Sequence, residues 1–268
     1  MKIHVLSGGR FVPLLAEKLW SRHFLPCNCL IIEIDNDIHL VDTGLHPGMI
    51  NNGISSQIYH RTFGLKVDRQ TSLKGQLENL NFNAQQVKTI TLTHLHPDHT
   101  AGLIDFPQAN LYVSQLEWDY VHDLESDNYY AKHFDKKHWS HVKKINLLEF
   151  QNEKWFGFSC VRLPHSSFES YLVHLPGHTG GGHSGVAVKF FDLWIFHVGD
   201  AYFLEDDLED EIGNRHLMSE IVQAAISPNT PLRHNTATKI SNLKKELRDK
   251  LVLISSHEEK NLGQSFSK

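Results

Sequence analysis

Cysteine is scarce in this chain. Three cysteines in 268 residues, an odd number with no CxxC pair, argue against a disulfide framework and for a reducing compartment. Cys27 and Cys29 stand two apart in an extended apolar stretch, so both face one side as small buried hydrophobes. No run of eighteen or more apolar residues occurs, and no membrane span is expected. Met1 to Gly8 enters an apolar segment without the pattern of a secretory leader, so a cytoplasmic location is expected. Basic excess is missing too. With a net charge of −5, and with Lys136-Lys137 and Lys244-Lys245 reading as solvated faces, nucleic acid is not an expected partner. Repeats and low-complexity linkers are absent. The chain therefore reads as one domain over 1–268, long enough to bury its core without staples.

Histidine, by contrast, is abundant, with twenty residues. Most of them cannot serve one site, so the question is which are placed to act together. Strand patterns fall at Ile3–Ser7, Cys29–Ile34 and Ile38–Val41, the last two joined by the turn sequence Asp35-Asn36-Asp37. Leu73, Leu77 and Leu80 share one helical face. Val87–Leu92 and Ala109–Val113 are further strands, and a helix is expected from about Ser114 to Asp123. In the second half, strands are expected at Tyr171–Leu175, Gly185–Phe190, Leu193–Val198 and Leu251–Ser255. Helices are expected around His216–Ala225 and Thr236–Lys250. Strand groups alternating with helices favour a layered α/β architecture.

The exit of Val87–Leu92 carries His94-Leu95-His96-Pro97-Asp98-His99. Residues two apart on extended backbone project to one side, so the imidazoles of His94 and His96 converge on one ion. Pro97 keeps His96 out of the helical region. Asp98 and His99 lie at the following corner and point elsewhere, which suits a second ion. Imidazole and carboxylate together are zinc chemistry, with other divalent first-row metals as alternatives. Three further candidates close predicted strands: His178 in Pro176-Gly177-His178-Thr179-Gly180, Asp200 after Leu193–Val198, and His257 after Leu251–Ser255. His183 reads as a supporting or loop residue, and His174 and His197 as structural.

These residues, in this order, resemble the metallo-β-lactamase superfamily, with its HxHxDH motif, PGHT segment, bridging aspartate and late histidine. The resemblance runs from Cys29 to His257. It implies a four-layer αββα sandwich with two Zn²⁺ at one edge. His94, His96 and His178 would hold the first ion; Asp98, His99 and His257 would hold the second; Asp200 would bridge them. Asp42-Thr43-Gly44 resembles the family's DTG segment, which helps to orient ligands. The implied enzyme is a metal-dependent hydrolase in which a metal-bound hydroxide attacks a lactone or related ester. Asp98 would also orient the nucleophile or accept its proton.

Within the family, Asp at position 200 favours the hydroxyacyl-hydrolase and lactonase side, and the length, the short tail after His257 and the step from His178 to Asp200 look most like quorum-quenching N-acyl-homoserine lactonases. Tyr202 is the nearest counterpart of their carbonyl-contacting tyrosine, although it follows Asp200 by two residues rather than three. Thioesterase, phosphodiesterase or β-lactam hydrolysis, iron-dependent oxidation and a non-catalytic regulatory role are the alternatives. The expected partner is a small-molecule substrate. The aromatic segment at about 120–145, with Tyr129, Tyr130, Phe134 and Trp139, fits either an apolar cap over the metals or a contact in a homodimer.

Overall fold

A computed structural model describes residues 1–13, 15–51, 63–164, 167–208 and 216–267. Among them, β1 (Lys2–Phe11), β2 (Leu25–Ile34) and β3 (Asp37–Val41) form an antiparallel meander. The sheet then continues in parallel through β5 (Val87–Thr91), β6 (Asn110–Ser114) and β7 (Ile145–Leu148). Short strands β4 (Leu65–Lys66) and β14 (Ser265–Ser267) pair with β1 to complete eight strands. The second sheet has six strands: β8 (Lys154–Trp155), β9 (Phe158–Arg162), β10 (Ser170–His174), β11 (Ser184–Phe190), β12 (Leu193–His197) and β13 (Leu251–Ile254).

Three apolar layers hold the sheets and helices together. Ile3, Val5, Leu30 and Ile32 from the first sheet meet Leu172, Val186, Val188 and Ile195 from the second. On the outer face of the first sheet, Cys29, Ile31 and Ile90 pack against Leu73 and Leu77 of helix α2 (Leu73–Asn79) and Val121 of helix α4 (Gln115–Asp123). On the outer face of the second, Val173 and Phe196 pack against Ala237, Ile240 and Leu243 of helix α6 (Thr230–Leu247). The order is helix, sheet, sheet, helix, as the αββα expectation had it. In β2 alternate residues serve two different cores, Cys29 and Ile31 on one face and Leu30 and Ile32 on the other, so that stretch is apolar at every position.

Most expected elements stand within two residues of their reading. The helix expected at Thr236–Lys250 starts earlier, because Asn229 Oδ1 accepts the Leu232 N–H and Pro231 suits a first turn. The aromatic segment holds two short 3-10 turns, Tyr129–His133 and Lys136–His138, and it buries Trp139 in the outer core. No helix among the described residues is long and apolar enough to cross a membrane.

The topology gathers the strand ends that matter. β12 and β13 are parallel, with His197 opposite Ile254. Asp200 and His257 each come three residues later, so both emerge at one edge. β10 runs antiparallel to β11 and therefore parallel to β12, which brings the Pro176–Thr179 turn to that same edge. β5 and the short helix α3 (Pro97–Thr100) that follows it deliver His94 to His99 there from the other sheet. Crevices beyond the carboxyl ends of strands are where α/β sheets bind ligands.

Candidate metal centre

All seven predicted ligands meet at this edge, and each is buried. In the first group His96 Nδ1 lies 3.0 Å from His94 Nε2 and 3.2 Å from His178 Nε2. Asp200 Oδ2 is 3.4 Å from His178 Nε2 and 3.9 Å from His94 Nε2. In the second group His99 Nε2 lies 3.4 Å from both Asp98 Oδ2 and Asp200 Oδ1, and His257 Nε2 is 3.5 Å from Asp98 Oδ2 and 3.2 Å from Asp200 Oδ2. Asp200 belongs to both groups.

These spacings fit metal ions. Bonds of about 2.0–2.1 Å in a tetrahedron place ligand atoms about 3.3 Å apart, close to the separations seen. Hydrogen bonding alone does not account for His96 Nδ1 facing two other imidazole nitrogens, since each imidazole nitrogen offers one N–H or one lone pair. Among the described residues the buried His99 Nε2 and Asp200 Oδ1 have no hydrogen-bond partner, although they lie 3.4 Å from each other and both face the centre of the second group. Such orphaned buried atoms call for an ion.

The surrounding hydrogen bonds select the ligating nitrogens. Asp42 Oδ1 accepts the Thr93 N–H at 2.8 Å, while its Oδ2 accepts from Thr93 Oγ1 and His99 Nδ1, each also at 2.8 Å. His99 Nδ1 thus carries a proton and Nε2 faces the site. His257 Nδ1 lies 2.8 Å from the Pro26 carbonyl, which directs its Nε2 inward in the same way. Thr43 Oγ1 donates to the His99 carbonyl, and Gly44, at φ +71°, lets this turn pass against the Gly8 backbone, where a Cβ would meet atoms at 2.4 Å. His183 is a support rather than a ligand: its Nδ1 lies 2.9 Å from the Leu175 carbonyl, and its Nε2 accepts the Asp200 N–H. His197 holds the Asn28 carbonyl in the interior, and His174 stacks on Phe150, so both are structural.

Burial holds His94 and His178 well below the usual imidazole range and His96 down at about 3, so their lone pairs stay free. Burial would raise Asp98, but the neighbouring His99 and then His257 outweigh it and hold the carboxyl below the usual carboxylate range.

A cavity of about 270 Å³ opens onto the ligands. His96, Asp98, Asp200 and His257 form its floor, and His133 from the aromatic segment reaches it. Its walls are apolar: Phe11, Leu25 and Phe203, with Leu19 and Trp20 of helix α1 (Ala16–Trp20) and Met218, Val222 and Ile226 of helix α5 (Leu217–Ile226). No Lys or Arg is among its described lining residues.

Tyr202 departs from expectation. It does not line the cavity; its ring is buried in the outer core of the second sheet with Trp155, Ala237 and Ile240. The next residue, Phe203, takes the place at the cavity, 4.6 Å from the His257 ring. The backbone turn after Asp200, pinned by Ser255 Oγ on the Tyr202 and Phe203 carbonyls, decides which side chain faces in. A tyrosine contact to a substrate carbonyl from position 202 is therefore corrected. Sequence reasoning did not single out Glu117, which sits in an unremarkable helix, or His133, which lies within the aromatic segment read as a cap or a dimer contact.

The sequence profile of the metallo-beta-lactamase superfamily matches residues 23–257. A probable metallo-hydrolase of Mycobacterium tuberculosis is 29% identical over 242 residues, covering 87% of this chain and 75% of the relative. An N-acyl homoserine lactonase of a Bacillus species is 22% identical over 207 residues, covering 75% and 74%. The structure of an N-acyl homoserine lactone hydrolase with N-hexanoyl-L-homoserine at its metal centre superposes with a TM-score of 0.67 at 18% identity, covering 97% of this chain and 94% of that one. Profile, fold and ligand order agree: the chain belongs to the metallo-beta-lactamase superfamily.

Proposed function

We propose that this metal-dependent hydrolase holds two zinc ions and opens the ring of a lactone that carries an apolar acyl arm. The observation that carries the reading is a doubled ligand set sharing Asp200 at the floor of a cavity with hydrocarbon walls. Bound there, two divalent ions would supply Lewis-acid polarisation of a carbonyl and a water of lowered pKa. The chain's own residues do the rest. His94, His96 and His178 would hold one ion, Asp98, His99 and His257 the other, and Asp200 both. Asp98, on the cavity floor, orients the attacking water and accepts its proton at a carboxylate oxygen. Phe203, Trp20, Val222 and Ile226 exclude water and receive the hydrocarbon arm.

A floor of buried ligands below uncharged walls suits a small neutral ester better than a phosphodiester, which is recognised by Arg or Lys. The likeness to lactonases in sequence and fold supports the ring substrate. The test is a hydrolysis panel on zinc-loaded protein, comparing acyl-homoserine lactones of increasing chain length, simple lactones, S-acyl-glutathione, a phosphodiester and a cephalosporin. Fastest turnover of an acyl-homoserine lactone is expected. A thioester or phosphodiester turned over faster than every lactone overturns the substrate, and no turnover above the Asp98→Asn variant overturns hydrolysis of these classes.

A further inference from the structure

Glu117 lies in the first turn of α4, is fully buried, and makes no ion pair among the described residues. Burying a carboxylate without a cation is costly, and an apolar residue of similar volume would satisfy the core. Its two oxygens explain its presence. Oε1 accepts the backbone N–H of Leu95, the residue between His94 and His96, at 3.0 Å. Oε2 accepts from the hydroxyl of Thr179, the residue after His178, at 2.5 Å. One side chain thus ties together two loops from different sheets, each carrying ligands of the first group.

The second of these loops is pressed onto α4 along its length. A Cβ on Gly182 would lie 2.0 Å from the Glu117 nitrogen, and one on Gly180 would lie 1.9 Å from the Tyr120 ring. The run Gly180-Gly181-Gly182 thereby allows the turn after His178 to seat on the helix. At its stem, the loop is joined to the His94 strand by a backbone bond from Ser184 to Thr93. At its crown, beside the ligands, Glu117 makes the join.

Resting on the metal-binding reading above, we propose that Glu117 is a positioning residue that fixes the separation of His96 and His178, and so presets the first metal position. The role requires two hydrogen-bond ties and no charge. A glutamine meets it: its carbonyl oxygen accepts the Leu95 N–H, and its amide donates to Thr179 Oγ1, since a hydroxyl takes either role. Leucine fills the space and makes neither tie.

The test is zinc(II) titration of the apo protein against a chromophoric chelator, with the thermal midpoint of each apo form measured alongside. Glu117→Leu is expected to weaken one of the two zinc-binding steps by about tenfold or more, as loss of support around ligands does. Glu117→Gln is expected to stay within about threefold of wild type, and Thr179→Val, which loses one tie, to fall between them. A purely structural role would lower the apo midpoint and leave both zinc affinities unchanged, which overturns the assignment. Gln as damaging as Leu also overturns it, because charge would then be the requirement. Should Glu117→Leu fail to fold, Thr179→Val decides: wild-type zinc affinity in that variant refutes the role. A wild-type chain that takes up no zinc sinks the metal reading and this assignment together, whereas two zincs in wild type with unaltered variants sinks the assignment alone.

Discussion

Asp42→Asn tests the tautomer logic of the centre most directly. Asp42 sits at φ +60°, a conformation that asparagine also tolerates, so the backbone turn should survive. The orientation of the new amide is forced. The Thr93 backbone N–H can only donate, so the amide oxygen must stay at the Oδ1 position. The NH₂ then occupies the Oδ2 position, facing His99 Nδ1. Two donors cannot meet there, and His99 must shift its proton to Nε2, the nitrogen aimed at the second metal group. Loss of one oriented ligand is expected to weaken the second zinc step by roughly tenfold to hundredfold, or about 1.4–2.7 kcal/mol. The lost charge-assisted bond should lower the apo thermal midpoint by a few degrees, ~1–2 kcal/mol of stability. Chelator competition and elemental analysis after gel filtration measure the effect. Two tightly held zincs in Asp42→Asn, at wild-type affinity, would refute the argument that Asp42 selects the ligating nitrogen.

Three further outcomes are expected. Asp98→Asn should fold normally yet lower kcat by about 10²–10⁴, the range for loss of a positioned general base, and near wild-type turnover would remove Asp98 from that role. Val222→Trp should fill the apolar part of the cavity, raising KM for long-chain substrates while sparing short ones; equal effects on both would place the hydrocarbon arm elsewhere. The third concerns Glu258, which burial pushes up but which the forked Arg22 guanidinium, at 2.9 and 3.0 Å, holds below the usual carboxylate range. A depressed folded-state pKa stabilises above the unfolded value near 4.5 and loses that contribution as pH falls through the folded value. Glu258→Gln should therefore lower the thermal midpoint by about 4–8 °C at pH 7 and by progressively less below pH ~4.5, as a scan across pH will show.

The local signals in the chain were strong where a residue's role depends on its immediate neighbours. Alternation and apolar runs place the strands, because a sheet buries residues with period 2. The cluster from His94 to His99 carries its own geometry, since extended backbone and Pro97 fix the directions of adjacent side chains. His178, Asp200 and His257 were legible as candidates because each follows an apolar strand, and the cluster and the family resemblance joined them into one ligand set. Boundaries slipped where a cap rather than a pattern begins the element, as at Asn229.

Sequence by itself thus determined the layered α/β class and the ligand types, because both follow from short-range periodicity and side-chain chemistry. Tertiary structure decided what depends on contacts between distant segments. It turned Phe203 rather than Tyr202 toward the cavity, since a two-residue or three-residue step after Asp200 acquires a direction only when Ser255 pins the turn. It chose the proton position on His99 through Asp42, fifty-seven residues away along the chain. It gave Glu117 a purpose by folding Leu95 and Thr179 onto the same carboxylate. Hydrogen bonds reach only about 3 Å, so none of these pairings exists until the two sheets have packed.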